Sequence, residues 1–299
     1  MAMDLLDAYQ ADCRLRGMSE ATIYQYVRSL ARFIDKYDPM KVGRSELQEY
    51  IADLRESGIK YGTMSNYLKA LSGFYEWLVF EGRLKENPVR PVRRRYLMAY
   101  KADEDKSIRQ IISVEDAARM VAGAIDIRDR AILILLLKTG IRIGECRDLD
   151  VESIRWSDNS IVLKNTKKRS NRVVYFDEET ASLLRRWVTV REMRAGPGGA
   201  LWVGRGNQRI TSDGIRSIVE RSAELAGLHN PSSSKSEERF TPHCCRHWFT
   251  THLIRAGMPR DFVKELRGDA RREAIDIYNH INRDELRLSY LACVPQLGV

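Results

Sequence analysis

SIVLKNTKKRSNRVVYFD, residues 160–177, contains two short runs rich in β-branched residues on either side of a polar, basic turn. Runs of this length around such a turn read as a β-hairpin. The other patterned stretches repeat mainly at three and four residues. The hairpin therefore predicts one small antiparallel sheet in a mainly α protein, and the alternating βαβ pattern of a nucleotide-binding fold is not found.

Working outward, SVEDAARMVAGA (113–124) and IRDRAILILLLKTG (127–140) read as helices before the hairpin, the second of them buried. After it come a long helix, EETASLLRRWVTVREMR (178–194), a strand-like ALWVG (200–204) and a further helix, TSDGIRSIVERSAELAGL (211–228). A polar loop follows, and the remainder is helical. This makes a domain over 107–299. Residues 1–87 read as helices only. Ser19 is placed to cap a helix with a stripe of Ile23, Tyr26, Val27, Leu30, Phe33 and Ile34. Ser45 and Gln48 suggest a capping box before Leu47, Tyr50, Ile51 and Leu54, with Gly58 as terminator. Met64, Tyr67, Leu68, Leu71, Tyr75 and Leu78 repeat the logic, so an N-terminal helical bundle is expected. Between the two, residues 88–106 carry Pro88, Pro91 and the run Arg93, Arg94, Arg95 and read as a linker. Its arginines are either a solvated surface or a strap along phosphates.

At 299 residues, 43% hydrophobic and 30% charged, the chain has the composition of a soluble globular protein. No apolar run approaches the roughly 20 residues of a membrane span, and the N-terminus lacks the order of a secretory signal. The expected location is cytoplasmic, associated with the nucleoid, with no membrane partner. Five cysteines, Cys13, Cys146, Cys244, Cys245 and Cys293, show no metal-like spacing and read as free thiols. A net charge of +9 favours a polyanionic partner.

Four segments carry chemistry. In TPHCCRHWFTTHLIRAG (241–257), Thr241 is placed as an N-cap and Pro242 at the first helical position. His243 and Arg246 then share one face of the first turn, where unpaired backbone N–H groups favour an anion. In KTGIRIGECRDLD (138–150), Arg142 and Glu145 are three apart, an arrangement that holds a guanidinium fork ready for phosphate oxygens. The hairpin carries Lys164, Lys167, Lys168 and Arg169 at or near its tip, where a lysine can protonate a leaving oxygen. Tyr278, one of thirteen tyrosines, lies near the C-terminus.

Taken in order, these segments resemble the catalytic domain of the tyrosine recombinases, the phage-integrase and Xer-like family. Arg142 with Glu145 follows a Thr-Gly helix end as in that family, Lys167 matches its hairpin lysine with Lys168 as rival, and His243, Arg246 and His247 match its H-x-x-R-H box. Tyr278 stands nine residues after Asp269, in the place of the nucleophile. The resemblance spans residues 107–282, and residues 1–87 resemble the family's core-binding DNA domain in length, composition and position. It implies Arg142, Lys167, His243, Arg246, Asp269 and Tyr278 as catalytic positions, with Glu145, Lys168 and His247 supporting and no metal or cofactor.

The implied reaction is site-specific recombination of double-stranded DNA, as integration, excision or dimer resolution. Tyr278 attacks a phosphodiester and forms a 3′-phosphotyrosyl bond, which conserves the energy for strand transfer without ATP. The implied assembly is a tetramer on DNA and a monomer or dimer free of it. Topoisomerase-like relaxation and an inactive DNA-binding protein of the same fold remain open. One departure bears on that choice. Arg267-Gly268-Asp269 stands where the family has Leu-Gly-His or Leu-Gly-Trp, so a carboxylate replaces a phosphate contact. The expectation is that Asp269 orients a cation, Arg246, Lys167 or His243. The tail RDELRLSYLACVPQLGV (283–299) is expected to dock on a neighbouring protomer or on its own domain.

Overall fold

The computed structural model describes residues 2–97, 110–164, 172–233, 235–269 and 281–299. The chain forms two compact units, Met1–Lys106 and Ser107–Val299. The first is all helical: α1 (Ala2–Leu15), α2 (Glu20–Ile34), α3 (Arg44–Glu56), α4 (Tyr61–Phe80) and α5 (Val89–Leu97). Ser19 Oγ accepts from Thr22 N–H at 3.2 Å and starts α2. α3 begins earlier than its sequence suggests, because the Glu46 carboxylate reaches back to Gly43 N–H at 2.8 Å and takes the place expected of a Ser45–Gln48 box. The apolar stripes of α2, α3 and α4 meet α1 in one core, with Tyr9, Leu30, Phe33, Leu47, Leu68 and Phe74 fully buried.

Residues 89–97, expected as linker, are instead a helix of this unit. Val89, Val92 and Leu97 enter the core. Asn87 Oδ1 accepts from Val89 N–H at 3.0 Å, and Pro91 falls in the first turn, where its missing donor is not needed. The two prolines thus begin a helix. Arg93, Arg94 and Arg95 ride on it, Arg94 and Arg95 exposed.

The second unit is built around α7 (Ile127–Thr139), whose residues Ala131–Leu137 are buried on every side. α6 (Val114–Ala122), α9 (Glu178–Ala195), α10 (Ser212–Leu225) and α11 (Pro242–Arg255) pack around it. α8 (Ile143–Arg147) leads into a three-stranded antiparallel sheet of β1 (Ile154–Arg155), β2 (Ser160–Leu163) and β3 (Arg172–Tyr175), in the order β1-β2-β3. Ile161 pairs with Val174 and Leu163 with Arg172, which is the expected hairpin, and β1 is an added edge. ALWVG is not a strand: it makes isolated bridges, Ala200 to Asp150 and Val203 to Arg209. The fold is therefore mainly α, a helical bundle followed by a mostly helical unit with one small antiparallel sheet. Among the described residues no helix is long and apolar enough to cross a membrane. All five cysteines are free thiols.

α12 (Arg260–Arg267) and α13 (Arg283–Cys293) close the unit over a second apolar cluster of Phe249, Leu253, Val263, Leu266, Leu286 and Tyr290. The tail returns to its own unit. Leu297 and Val299 donate backbone N–H groups to Glu179 at 3.0 and 2.7 Å, Gln296 donates to Asp177 at 3.1 Å, and Tyr290 Oη donates to the Lys138 carbonyl at 3.0 Å. Beneath the tail the Lys138 side chain is wholly buried between Asp177, at 2.5 Å, and Glu179.

Burial pushes both carboxyls up, but the Lys138 ammonium and the surrounding donors outweigh it and hold Asp177 and Glu179 below the ordinary carboxylate range. A depressed folded-state pKa contributes stability that is complete above the unfolded value and lost as pH falls through the folded one. Thermal midpoints are expected to be flat above about pH 5 and to drop below it. Lys138→Met, which leaves buried Asp177 and part-buried Glu179 without their cation, is expected to cost roughly 3–5 kcal/mol in denaturant unfolding at neutral pH.

Candidate active site

Two helix ends and two helix starts converge at the site. α7 stops at Gly140, which takes a left-handed conformation with φ 59°. A Cβ there would lie 2.4 Å from Phe249 Cδ1, so the close crossing of α7's end and α11 requires glycine. α12 ends in the same way at Gly268, φ 62°. Helix C-termini present carbonyls without intrahelical partners, at the negative end of the helix dipole. Here those carbonyls receive arginines.

Arg246, one turn into α11, has a side chain only 5% exposed. Its Nη1 donates to the Gly140 carbonyl at 2.6 Å and its Nη2 to the Arg267 carbonyl at 2.8 Å. Arg142 sits in extended conformation at the start of α8. The Glu145 carboxylate accepts from the Arg142 backbone N–H at 2.7 Å and from its guanidinium at 3.3 Å, and Arg142 Nη1 also reaches the Arg267 carbonyl at 3.5 Å. Arg142 is more exposed than Arg246, so one fork is anchored and the other faces outward.

A third guanidinium escaped the sequence reading. Arg172, on β3 and buried, donates to Glu145 at 2.7 Å and to the same Arg267 carbonyl. One carbonyl thus gathers three arginines. The only sequence signal for Arg172 is a basic residue opening an otherwise apolar strand. Arg267 is the fourth. Its Nε lies 3.2 Å from Asp269 Oδ2, while Asp269 Oδ1 lies 3.2 Å from Arg246 and 3.8 Å from Arg142. Asp269 therefore faces Arg246, Arg142 and Arg267.

Among the described residues four guanidiniums meet two carboxylates here, an excess of positive charge that favours an anion. Burial, then the neighbouring Arg142 and Arg267, pull the Arg246 pKa down to about 9, with Asp269 acting in the opposite direction. Arg246 is still cationic at neutral pH, and an arriving anion relieves the repulsion.

His243 is exposed on the first turn of α11, its ring 4.8 Å from that of His247 and steeply inclined to it. Thr241 occupies the N-cap position, but its hydroxyl lies beside Cys244 Sγ at 3.6 Å and makes no capping bond. Lys164 pairs with Asp150 at 2.5 Å. Lys167, Lys168, Arg169 and Tyr278 lie outside the described residues.

A guanidinium cluster at Gly-capped helix ends, on a mainly helical unit with one small sheet, has the chemistry to receive a phosphate. Residues 104–285 match the phage integrase family and residues 5–82 the N-terminal SAM-like domain of phage integrases. The chain belongs to the phage integrase family and is an enzyme of the tyrosine recombinase kind. It is similar to tyrosine recombinase XerC of Haemophilus influenzae, 29% identical over 293 residues that cover 94% of this chain and 93% of that protein. The Bacillus subtilis XerC is 27% identical, over 94% and 92% of the two chains. Among solved structures, a lambda integrase dimer bound to a COC′ core site shares the fold with TM-score 0.69, 16% identity and coverage of 94% and 98%. The Tn1549 transposon integrase with transposon right end DNA does so with TM-score 0.68, 18% identity and coverage of 95% and 97%.

Proposed function

We propose that this enzyme carries out site-specific recombination of double-stranded DNA with Tyr278 as nucleophile. The observation that carries the reading is the paired fork of Arg142 and Arg246, one exposed and one anchored on two helix-end carbonyls. Attack on a phosphodiester passes through a pentacoordinate, dianionic phosphorus, and fixed cations lower its energy without reorganising. In this assignment the two guanidiniums take the non-bridging oxygens, and Glu145 and Arg172 orient Arg142.

Tyr278 Oη bonds to phosphorus as the bond to the 5′ oxygen breaks. A phenol with an ordinary pKa near 10 must lose its proton during the attack, and His243 is the assigned base, with His247 beside it. Lys167, or Lys168, donates a proton to the 5′ oxygen. The products are a 3′-phosphotyrosyl bond and a free 5′ hydroxyl, and the reverse attack by a hydroxyl of another strand rejoins DNA without ATP.

Grip on the duplex is assigned in part to the first unit, where Gln25, Arg28, Arg32, Asn66 and Lys69 line a polar, basic groove of about 500 Å³ between α2 and α4. Arg93, Arg94 and Arg95 on α5 add phosphate contacts. Four protomers on two DNA sites complete the exchange, assembled from free monomers or dimers.

The test uses nicked duplexes selected for binding, incubated with the protein and then denatured. A covalent protein–DNA adduct is expected from the wild type and none from Tyr278→Phe, with unchanged noncovalent affinity. Tight binding with no adduct from either protein would leave a DNA-binding protein without strand-transfer chemistry. Relaxation of supercoiled DNA by a monomer, with no strand exchange between sites, would favour the topoisomerase-like alternative.

A further inference from the structure

We infer that Asp269 acts as an internal counter-ion in the phosphate seat and that Arg267 is the positioning residue that draws it aside when DNA enters. The inference rests on the assignment of Arg142 and Arg246 to the scissile phosphate. A single carboxylate oxygen, Asp269 Oδ1, addresses both of those guanidiniums, at 3.8 and 3.2 Å. A phosphate oxygen in the same fork would need that position. Two anions cannot share it without strong repulsion, so one must leave.

The two ends of the contact differ in freedom. Arg246 is 5% exposed and tied to two carbonyls, whereas the Asp269 side chain is 34% exposed. The carboxylate is the part that moves. Its second oxygen already lies 3.2 Å from Arg267 Nε, so a cation of its own accompanies it away from the phosphate. The Arg267 backbone is held meanwhile, because its carbonyl accepts from Arg142, Arg172 and Arg246. Displacement therefore involves a side-chain pair on either side of Gly268 and leaves Arg142, Arg172 and Arg246 in place.

Arg267→Leu removes the partner and leaves the carboxylate between Arg142 and Arg246. Adduct formation on the nicked duplex is expected to slow about tenfold, and Asp269→Asn in the same chain is expected to restore most of that loss. Asp269→Asn alone is expected to bind the duplex several-fold more tightly, with a steeper dependence on salt. Arg267→Lys keeps a cation and stays close to the wild-type rate, which separates pairing from a merely structural role and serves if Arg267→Leu melts early.

An unchanged rate and affinity in Arg267→Leu, or a double variant no better than Arg267→Leu, would overturn the inference. The same series in the Tyr278→Phe background reads noncovalent affinity alone. If the wild type forms no adduct, the strand-transfer reading fails, and the order of affinities still decides whether the carboxylate competes with phosphate.

Discussion

Arg246→Lys is expected to lower the rate of adduct formation by about 10²–10³-fold, with the folded structure retained. The charge survives this substitution, so a large loss isolates geometry. The guanidinium of Arg246 donates from separate nitrogens to the carbonyls of Gly140 and Arg267, and Nη2 also faces the anion position occupied by Asp269. An ammonium is a point charge on a flexible stem and cannot span two fixed carbonyls while presenting an edge to a phosphate. Arg246→Ala is a poorer probe. It leaves the buried Gly140 carbonyl short of a donor at roughly 1–3 kcal/mol, while Arg142 and Arg172 still supply the Arg267 carbonyl, so lost activity and lost stability become mixed. Single-turnover rates on a nicked duplex, taken beside thermal melts, separate the two. An Arg246→Lys enzyme within threefold of wild type would remove Arg246 from the transition-state contacts.

Gly140→Ala is expected to be among the most destabilising single-methyl changes in the second unit, at about 2–5 kcal/mol from left-handed backbone strain and overpacking together. The residue has φ 59°, and the added Cβ would sit 2.4 and 2.7 Å from two ring atoms of Phe249. Phe249 is itself buried in the second apolar cluster, three residues beyond Arg246 on α11. The ring cannot swing away without shifting the helix that carries Arg246. A fall in melting midpoint of roughly 5–15 °C is expected, accompanied by slower adduct formation in what remains folded. Gly257→Ala is the control. It has φ 88° but open space around the Cβ, so only the backbone term applies, about 1 kcal/mol. Equal losses in the two variants would show that the approach of Phe249 carries no weight.

The fold was largely legible because its signals are local. A stripe such as Leu47, Tyr50, Ile51 and Leu54 records which face of a helix meets the core, and two β-branched runs around a basic turn record a hairpin. Part of the site was local in the same sense. Arg142 and Glu145, or His243 and Arg246, are three residues apart, and one helical turn brings such pairs together whatever surrounds them. Misreadings arose where one local signal has two meanings. Pro88 and Pro91 mark a break in helix continuation and also the start of a new helix, and the burial of Val89, Val92 and Leu97 chose the second.

What the sequence determined by itself, then, is the mainly helical architecture with its one hairpin, the basic character of the chain and the residue types gathered at the site. Only the tertiary structure decided how the arginines are held and what Asp269 faces. Arg172 meets Glu145 across 27 residues and the Arg267 carbonyl across 95, and Arg142 reaches that carbonyl across 125. A backbone carbonyl is present at every position and leaves no mark in the sequence. It becomes a guanidinium acceptor only where a helix ends beside another that carries an arginine, and that meeting is set by the packing of α11 against both α7 and α12.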